Sequence, residues 1–268
     1  MFEAVLRRDR AVVAAALAAI TALAWAYLLW LSAKMSMGAE PEMSGMDMPG
    51  MSMPDILAPK LRPWGAGEFA FTFGMWAVMM VGMMTPSAAP MVLTYAAVGR
   101  HASAQGKPFA PTSWFLSGYL LIWTAFALVA TGAQFTLTQA ALLDPAIAVS
   151  SRAFGGVVLI AAGIYEWTPL KDACLMQCQS PLMFIQRQGG FRRDPPGAIL
   201  LGFRHGGYCV GCCWMLMALL FVGGVMNMLW IALISAFVLV EKMLVPGRLF
   251  SRTAGLALVA AGLWFLAS

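Results

Sequence analysis

The chain is 268 residues long, 61% hydrophobic and only 11% charged, with a formal net charge of +5. A water-soluble chain carries about 25% charged residues and does not hold several apolar runs near the ~20-residue span of a bilayer. The composition therefore excludes a large soluble domain and predicts an all-α, polytopic transmembrane helix bundle surrounded by membrane lipid.

Apolar segments lie near residues 11–33, 69–98, 113–137, 147–167, 198–222, 225–243 and 253–268. They predict about seven crossings, or six if the fifth and sixth, which meet at Gly223-Gly224, form a re-entrant pair. The first segment follows Arg7, Arg8 and Arg10. Its apolar core is longer than that of a cleaved export signal, so residues 1–33 read as an N-terminal transmembrane anchor. Because loops rich in Lys and Arg stay on the cytoplasmic side, those three arginines place the N-terminus in the cytoplasm. With seven crossings, the loops carrying Arg100 and Lys107, then Lys171, Arg187, Arg192 and Arg193, then Lys242, Arg248 and Arg252 share that side. Lys34, Lys60, Arg62 and Arg152 fall on the other. The positive charge thus follows topology, and no nucleic-acid-binding module is present.

Residues 34–67 form the loop between the first two crossings and face the periplasm. They hold Met35, Met37, Met43, Met46, Met48, Met51 and Met53 among Ser, Gly, Pro and acidic residues. Such a segment lacks the apolar side chains to fold alone and is expected to be disordered. An exposed thioether invites oxidation but is a soft ligand, so this loop reads as a capture segment for Cu(I). The bland alternative is a tolerated low-complexity linker.

The bundle proper spans residues 68–268. Its first helix carries Met75, Met79 and Met83 along one face and Met80 and Met84 on the next, with Met91 two turns on. Pro86 and Pro90 remove two backbone donors one turn apart, which predicts a kink and free carbonyls near the last methionines. Methionine also fills irregular gaps between helices, so the stripes alone do not separate a soft-metal conduit from packing.

Three of the five cysteines and one of the two histidines fall between His205 and Cys213. His205, Cys209, Cys212 and Cys213 lie at i, i+4, i+7 and i+8, within roughly a 100° arc of a helix. Thiolate and imidazole donors favour Cu(I), with Zn(II) as the alternative. Cys174 and Cys178, at i and i+4 on an amphipathic helix at the cytoplasmic surface, are the expected completing ligands. Gly206 and Gly207 offer a point where the fifth crossing unwinds toward them. The competing account treats the cysteines as small hydrophobes and the Gly202/Gly206 and Gly207/Gly211 pairs as close-packing spacings. Against it stands His205, a costly ring in hydrocarbon.

The run Met79-Met80 through Met83-Met84-Thr85-Pro86-Ser87-Ala88-Ala89-Pro90-Met91, the Thr168-Pro169-Leu170-Lys171 turn leading to Cys174 and Cys178, and the His205 to Cys213 block, followed by Trp214, Met217 and Gly223-Gly224-Val225-Met226-Asn227, carry a resemblance. Over residues 65–265 the chain resembles a bacterial domain-of-unknown-function family of predicted metal-binding integral membrane proteins. The resemblance implies metal binding and a multi-pass location in the bacterial inner membrane. The Met35 to Met53 loop lies outside it. In its parts the chain is also analogous to eukaryotic high-affinity copper transporters, which join methionine-rich outer segments to a Met-x-x-x-Met helix.

The expected function is that of a binding protein rather than an enzyme. It would take Cu(I) outside, pass it along the methionine helix and hold it at the thiolates, for uptake, transfer or delivery to a membrane cuproenzyme, with a copper chaperone as another expected partner. No phosphate-binding Gly-x-x-x-x-Gly-Lys-Ser/Thr loop is present, so ATP is not a partner. Two other readings remain. One is a membrane thiol-disulfide oxidoreductase using the Cys209/Cys212 pair. The other is a non-catalytic assembly subunit whose methionines and glycines only pack.

Overall fold

The structure, a computed structural model, describes residues 2–37, 64–143, 147–191, 193–243 and 247–268. The described residues form ten helices: α1 (Phe2–Met37), α2 (Ala66–Ala104), α3 (Thr112–Gln139), α4 (Arg152–Tyr165), α5 (Pro169–Gln179), α6 (Pro181–Arg187), α7 (Pro195–Ala218), α8 (Leu220–Gly223), α9 (Met228–Met243) and α10 (Gly247–Ala267). Among them the only strand-like pairing is one bridge, Leu143 to Val149. The all-α expectation holds.

Local sequence explains where the helices begin. The Ser151 hydroxyl accepts from the Phe154 amide at 3.4 Å to start α4, and Thr168 accepts from Lys171 N at 3.3 Å to start α5. Asp194 accepts from Gly197 N at 2.9 Å to start α7. Proline follows immediately at Pro169 and Pro195, where a missing amide costs nothing and the fixed φ suits the first turn.

The same signals break the fourth apolar segment. Thr168-Pro169 ends α4 and turns the chain by 65° into α5. Helix α4 is 14 residues and α9 is 16. At 1.5 Å per residue these are about 21 and 24 Å long, short of a hydrocarbon core of ~30 Å. By length and apolarity five helices can cross a membrane: Arg10–Met35, Ala66–Ala104, Thr112–Gln139, Pro195–Gly223 and Arg248–Ala267. Counting α4 with α5 as one broken span makes six, where the sequence reading counted about seven.

Helix α2 runs unbroken through Pro86 and Pro90. Proline at 86 has no N–H for the Gly82 carbonyl four residues back. That carbonyl accepts instead from the Trp25 indole of α1 at 3.2 Å. That freed acceptor lies beside Met83 and docks α1.

The core is a dense α3·α7 pair against which α2 and α5 pack. Its closest approach is set by glycine. A Cβ on Gly202 would collide with the Phe115 carbonyl, and one on Gly118 with the Ile199 carbonyl. Small residues let helix backbones touch, and side chains at both positions would force α3 and α7 apart. Helix α7 is continuous through Gly206 and Gly207, which corrects the expectation that it unwinds there. Outside the core, large apolar side chains such as Leu23, Val129, Leu229, Leu249 and Trp264 are exposed.

Candidate metal centre

Helix α7 sends Cys209, Cys212 and Cys213 into the interior, all fully buried. All four cannot meet at one ion, because His205 and Cys213, eight apart on a helix, are separated by about 12 Å along the axis. The Cys212 and Cys213 thiols turn back to the Cys209 carbonyl, at 3.1 and 2.9 Å. Among the described residues no three His, Cys, Asp or Glu side chains are arranged as a ready-made metal site. The His205 to Cys213 block alone is therefore not a self-contained centre.

A second helix brings the missing donor. Cys178 of α5 lies beside Cys209 and Cys212, close enough to interact with both, and Cys213 neighbours the same two. The Cys174 pair and the Cys209 cluster thus approach each other. Only Cys178 enters the group. Cys174 packs over Gly211, where a Cβ would stand 2.8 Å from its Sγ. All five cysteines are free thiols.

Two further helices complete the surroundings of Cys209. The Lys242 ammonium of α9 donates to Cys209 Sγ at 2.8 Å and to Ser87 Oγ of α2 at 3.2 Å. Tyr119 Oη of α3 lies 3.2 Å from Cys209 Sγ and donates to the Met84 carbonyl at 3.1 Å. Ser87 Oγ also donates to the Met84 carbonyl, at 2.9 Å. Cys209 is thus the point where α2, α3, α5, α7 and α9 meet.

An ionic network fixes α5 in this arrangement. Lys171 pairs with Glu166 and, at 2.6 Å, with Glu241 of α9, and all three side chains are fully buried. Ser251 of α10 donates to Glu241, and Gln179 Nε2 donates to the Glu241 backbone carbonyl at 2.9 Å. Tyr165 of α4 donates to the Gly211 carbonyl beside the cysteines. Buried charges are tolerated only when paired and hydrogen-bonded, so this network specifies how α4, α5, α9 and α10 dock.

The remaining predicted residues are placed as follows. Met75, Met79, Met80, Met83, Met84 and Met91 are all buried in the core cluster that also contains the cysteines. His205 is buried, with Nδ1 unpartnered and its ring 5.1 Å from Phe184 and 5.9 Å from Tyr119. Met35 and Met37 fall on the last turns of α1, with Met35 exposed. Met43, Met46, Met48, Met51 and Met53 lie outside the described residues.

The sequence reading missed Lys242, Tyr119, Ser87 and the Glu166–Lys171–Glu241 network. It placed Lys171 and Lys242 among cytoplasmic loop charges, and both are buried. The signal was present in Glu241-Lys242, two charges closing an apolar segment, which mark a site by default in such surroundings.

Fold and site together define the class: an all-α bundle whose interior gathers thiols from two helices, a donor set suited to a soft metal ion. The chain matches the family described as PpoB2: Copper chaperone over residues 73–265, and it belongs to that family. The matched span contains all five cysteines and Met75 to Met91, and it excludes α1 and the methionines from Met35 to Met53. No curated protein and no solved structure matches the chain.

Proposed function

We propose that this protein is a multi-pass copper chaperone of the bacterial inner membrane, which holds Cu(I) at thiols drawn from Cys178, Cys209 and Cys212 and delivers it to a copper enzyme. The observation that carries this reading is the approach of Cys178 on α5 to Cys209 and Cys212 on α7, within a chain of the copper chaperone family. Thiolates retain Cu(I) more tightly than thioethers, so the methionines between Met35 and Met53 suit capture and the thiols of α5 and α7 suit retention. The His205 Nδ1, buried without a partner one helical turn before Cys209, is a further candidate donor.

Membrane residence is supported by the long apolar helices and by the apolar side chains that face outward from them. Such a surface is incompatible with a water-exposed monomer. With Lys171 and Lys242 buried, orientation rests on Arg7, Arg8 and Arg10, which keep the N-terminus in the cytoplasm.

The test is Cu(I) titration of the full chain, purified in detergent under reducing conditions, against a chromophoric Cu(I) chelator. One tightly held ion per chain is expected, lost in the Cys178→Ser, Cys209→Ser, Cys212→Ser triple variant. A metal-free protein in which Cys209 and Cys212 form a reversible disulfide would sink the copper reading in favour of thiol-disulfide exchange.

A further inference from the structure

Lys242 is a buried ammonium, and among the described residues no carboxylate lies within ion-pairing distance of it. Its neighbour Glu241 is taken by Lys171 and Ser251. The contacts of Lys242 are instead Ser87 Oγ and Cys209 Sγ, at 3.2 and 2.8 Å. A buried cation requires an anion at its contact distance, and at this position that anion is sulfur.

Resting on the copper reading above, we propose that Lys242 is the specificity residue of the site: it selects a monovalent soft ion on two thiolates, Cu(I) or Ag(I), against Zn(II). The argument is charge balance. Cys209 and one neighbour, Cys178 or Cys212, give up their two protons to solvent, and each sulfur donates a lone pair to the ion with no change of oxidation state. Cu(I) on two thiolates is a singly charged anion, which one ammonium cancels. Zn(II) on the same two thiolates is neutral and leaves Lys242 uncompensated; it reaches a single negative charge only with a third thiolate, so the selection belongs to a two-sulfur site. Cu(I) on three thiolates is doubly charged, one charge more than Lys242 cancels. His205 adds no charge as a neutral ligand, so its participation leaves the balance unchanged.

In low-dielectric surroundings such an imbalance is expensive, whereas in water it would be screened. Lys242 touches ligand sulfur rather than the ion, so it acts by positioning charge. Arginine keeps that charge, and leucine keeps an apolar side chain there without the charge and without adding a sulfur donor.

The experiment compares the full chain with Lys242→Leu and Lys242→Arg by competition against a Cu(I) chelator and, separately, a Zn(II) chelator, and records copper-edge X-ray absorption on the unsubstituted protein. Lys242→Leu is expected to lose Cu(I) affinity by roughly 100-fold while Zn(II) affinity holds or rises. Lys242→Arg should keep the preference for Cu(I). Absorption should report two sulfur ligands. Equal loss of both metals in Lys242→Leu, or no loss of either, overturns the proposal. If that variant does not fold, a three-sulfur copper spectrum from the unsubstituted protein overturns it independently. Any of these leaves the copper reading standing, whereas an unsubstituted protein that binds no Cu(I) removes that reading and this inference with it.

Discussion

Gly211→Ala tests whether the site is assembled by the docking of α5 on α7. The new Cβ would stand 2.8 Å from Cys174 Sγ. Ordinary contact at such a position begins near 3.4 Å, so about 0.6 Å must be recovered, by rotating Cys174 or by moving α5 outward. Lys171 resists the movement through its pairing with Glu166 and Glu241. Cys178 lies one turn beyond Cys174, so any shift of α5 carries it away from Cys209 and Cys212. Overpacking of this kind costs about 1–3 kcal/mol. If that cost falls on the metal-bound arrangement, Cu(I) affinity drops by about 5- to 150-fold, at 1.4 kcal/mol per tenfold. The assay is the chelator competition, run on Gly211→Ala, Cys174→Ala and the pair together. Cys174→Ala removes the sulfur and leaves its Cβ at 3.6 Å, ordinary contact, so the double variant should recover affinity and the Cys174 single should be unaffected. Full affinity in Gly211→Ala, or a double variant weaker than either single, would refute the reasoning and return Cys174 to the ligand set.

Three other outcomes follow from the same geometry. Gly202→Ala places a Cβ on the Phe115 carbonyl, a backbone atom that cannot rotate away. It should cost about 3 kcal/mol or more, read as a lower midpoint of thermal unfolding in detergent. Lys171→Met leaves the Glu166 and Glu241 carboxylates buried without a cation and should destabilise by about 3–5 kcal/mol, whereas adding Glu166→Gln and Glu241→Gln should restore most of the loss. Cu(I) binding displaces thiol protons, so affinity should fall as pH is lowered, with up to about two protons released per ion. A flat affinity profile across neutral pH would show that thiols are not the ligands.

The helical class and most helix positions were legible because apolar run length is a one-dimensional property. The segment that carries Cys174 and Cys178 was equally legible, since Thr168-Pro169 is a helix start wherever it occurs. Run length misled at α4 and α9. Residues 147–149 are apolar but not helical, with Ile147 at φ 57, and Thr168-Pro169 ends the usable helix. Lysine topology misled for a different reason. A rule that counts Lys and Arg near segment ends cannot tell Arg248, which is exposed, from Lys242, which is buried six residues earlier. The difference arises only when α9 packs on α2 and α5, bringing Ser87, Cys209 and the Lys171 network to its last turn. The glycines carried two readings with one spacing. Gly202 serves close approach to α3, Gly211 makes room for Cys174, and neither breaks the helix.

Helix α9 joins the scaffold to the site through two consecutive residues. Successive side chains on a helix point about 100° apart, so Glu241 and Lys242 cannot serve the same neighbour. Glu241 turns to Lys171 and Ser251 and closes a network of opposite charges, which fixes α5 and α10. Lys242 turns to Ser87 and Cys209, where among the described residues no carboxylate meets it. The first arrangement is complete without a ligand. The second is balanced only when sulfur carries negative charge, as it does when it holds a metal ion. Because the two residues share one backbone, the ion pair that positions Cys178 also sets the distance of the ammonium from Cys209. The rigidity of the Lys171 network is therefore a condition of the charge selection assigned to Lys242, and the two buried lysines, alike in composition, have separate roles.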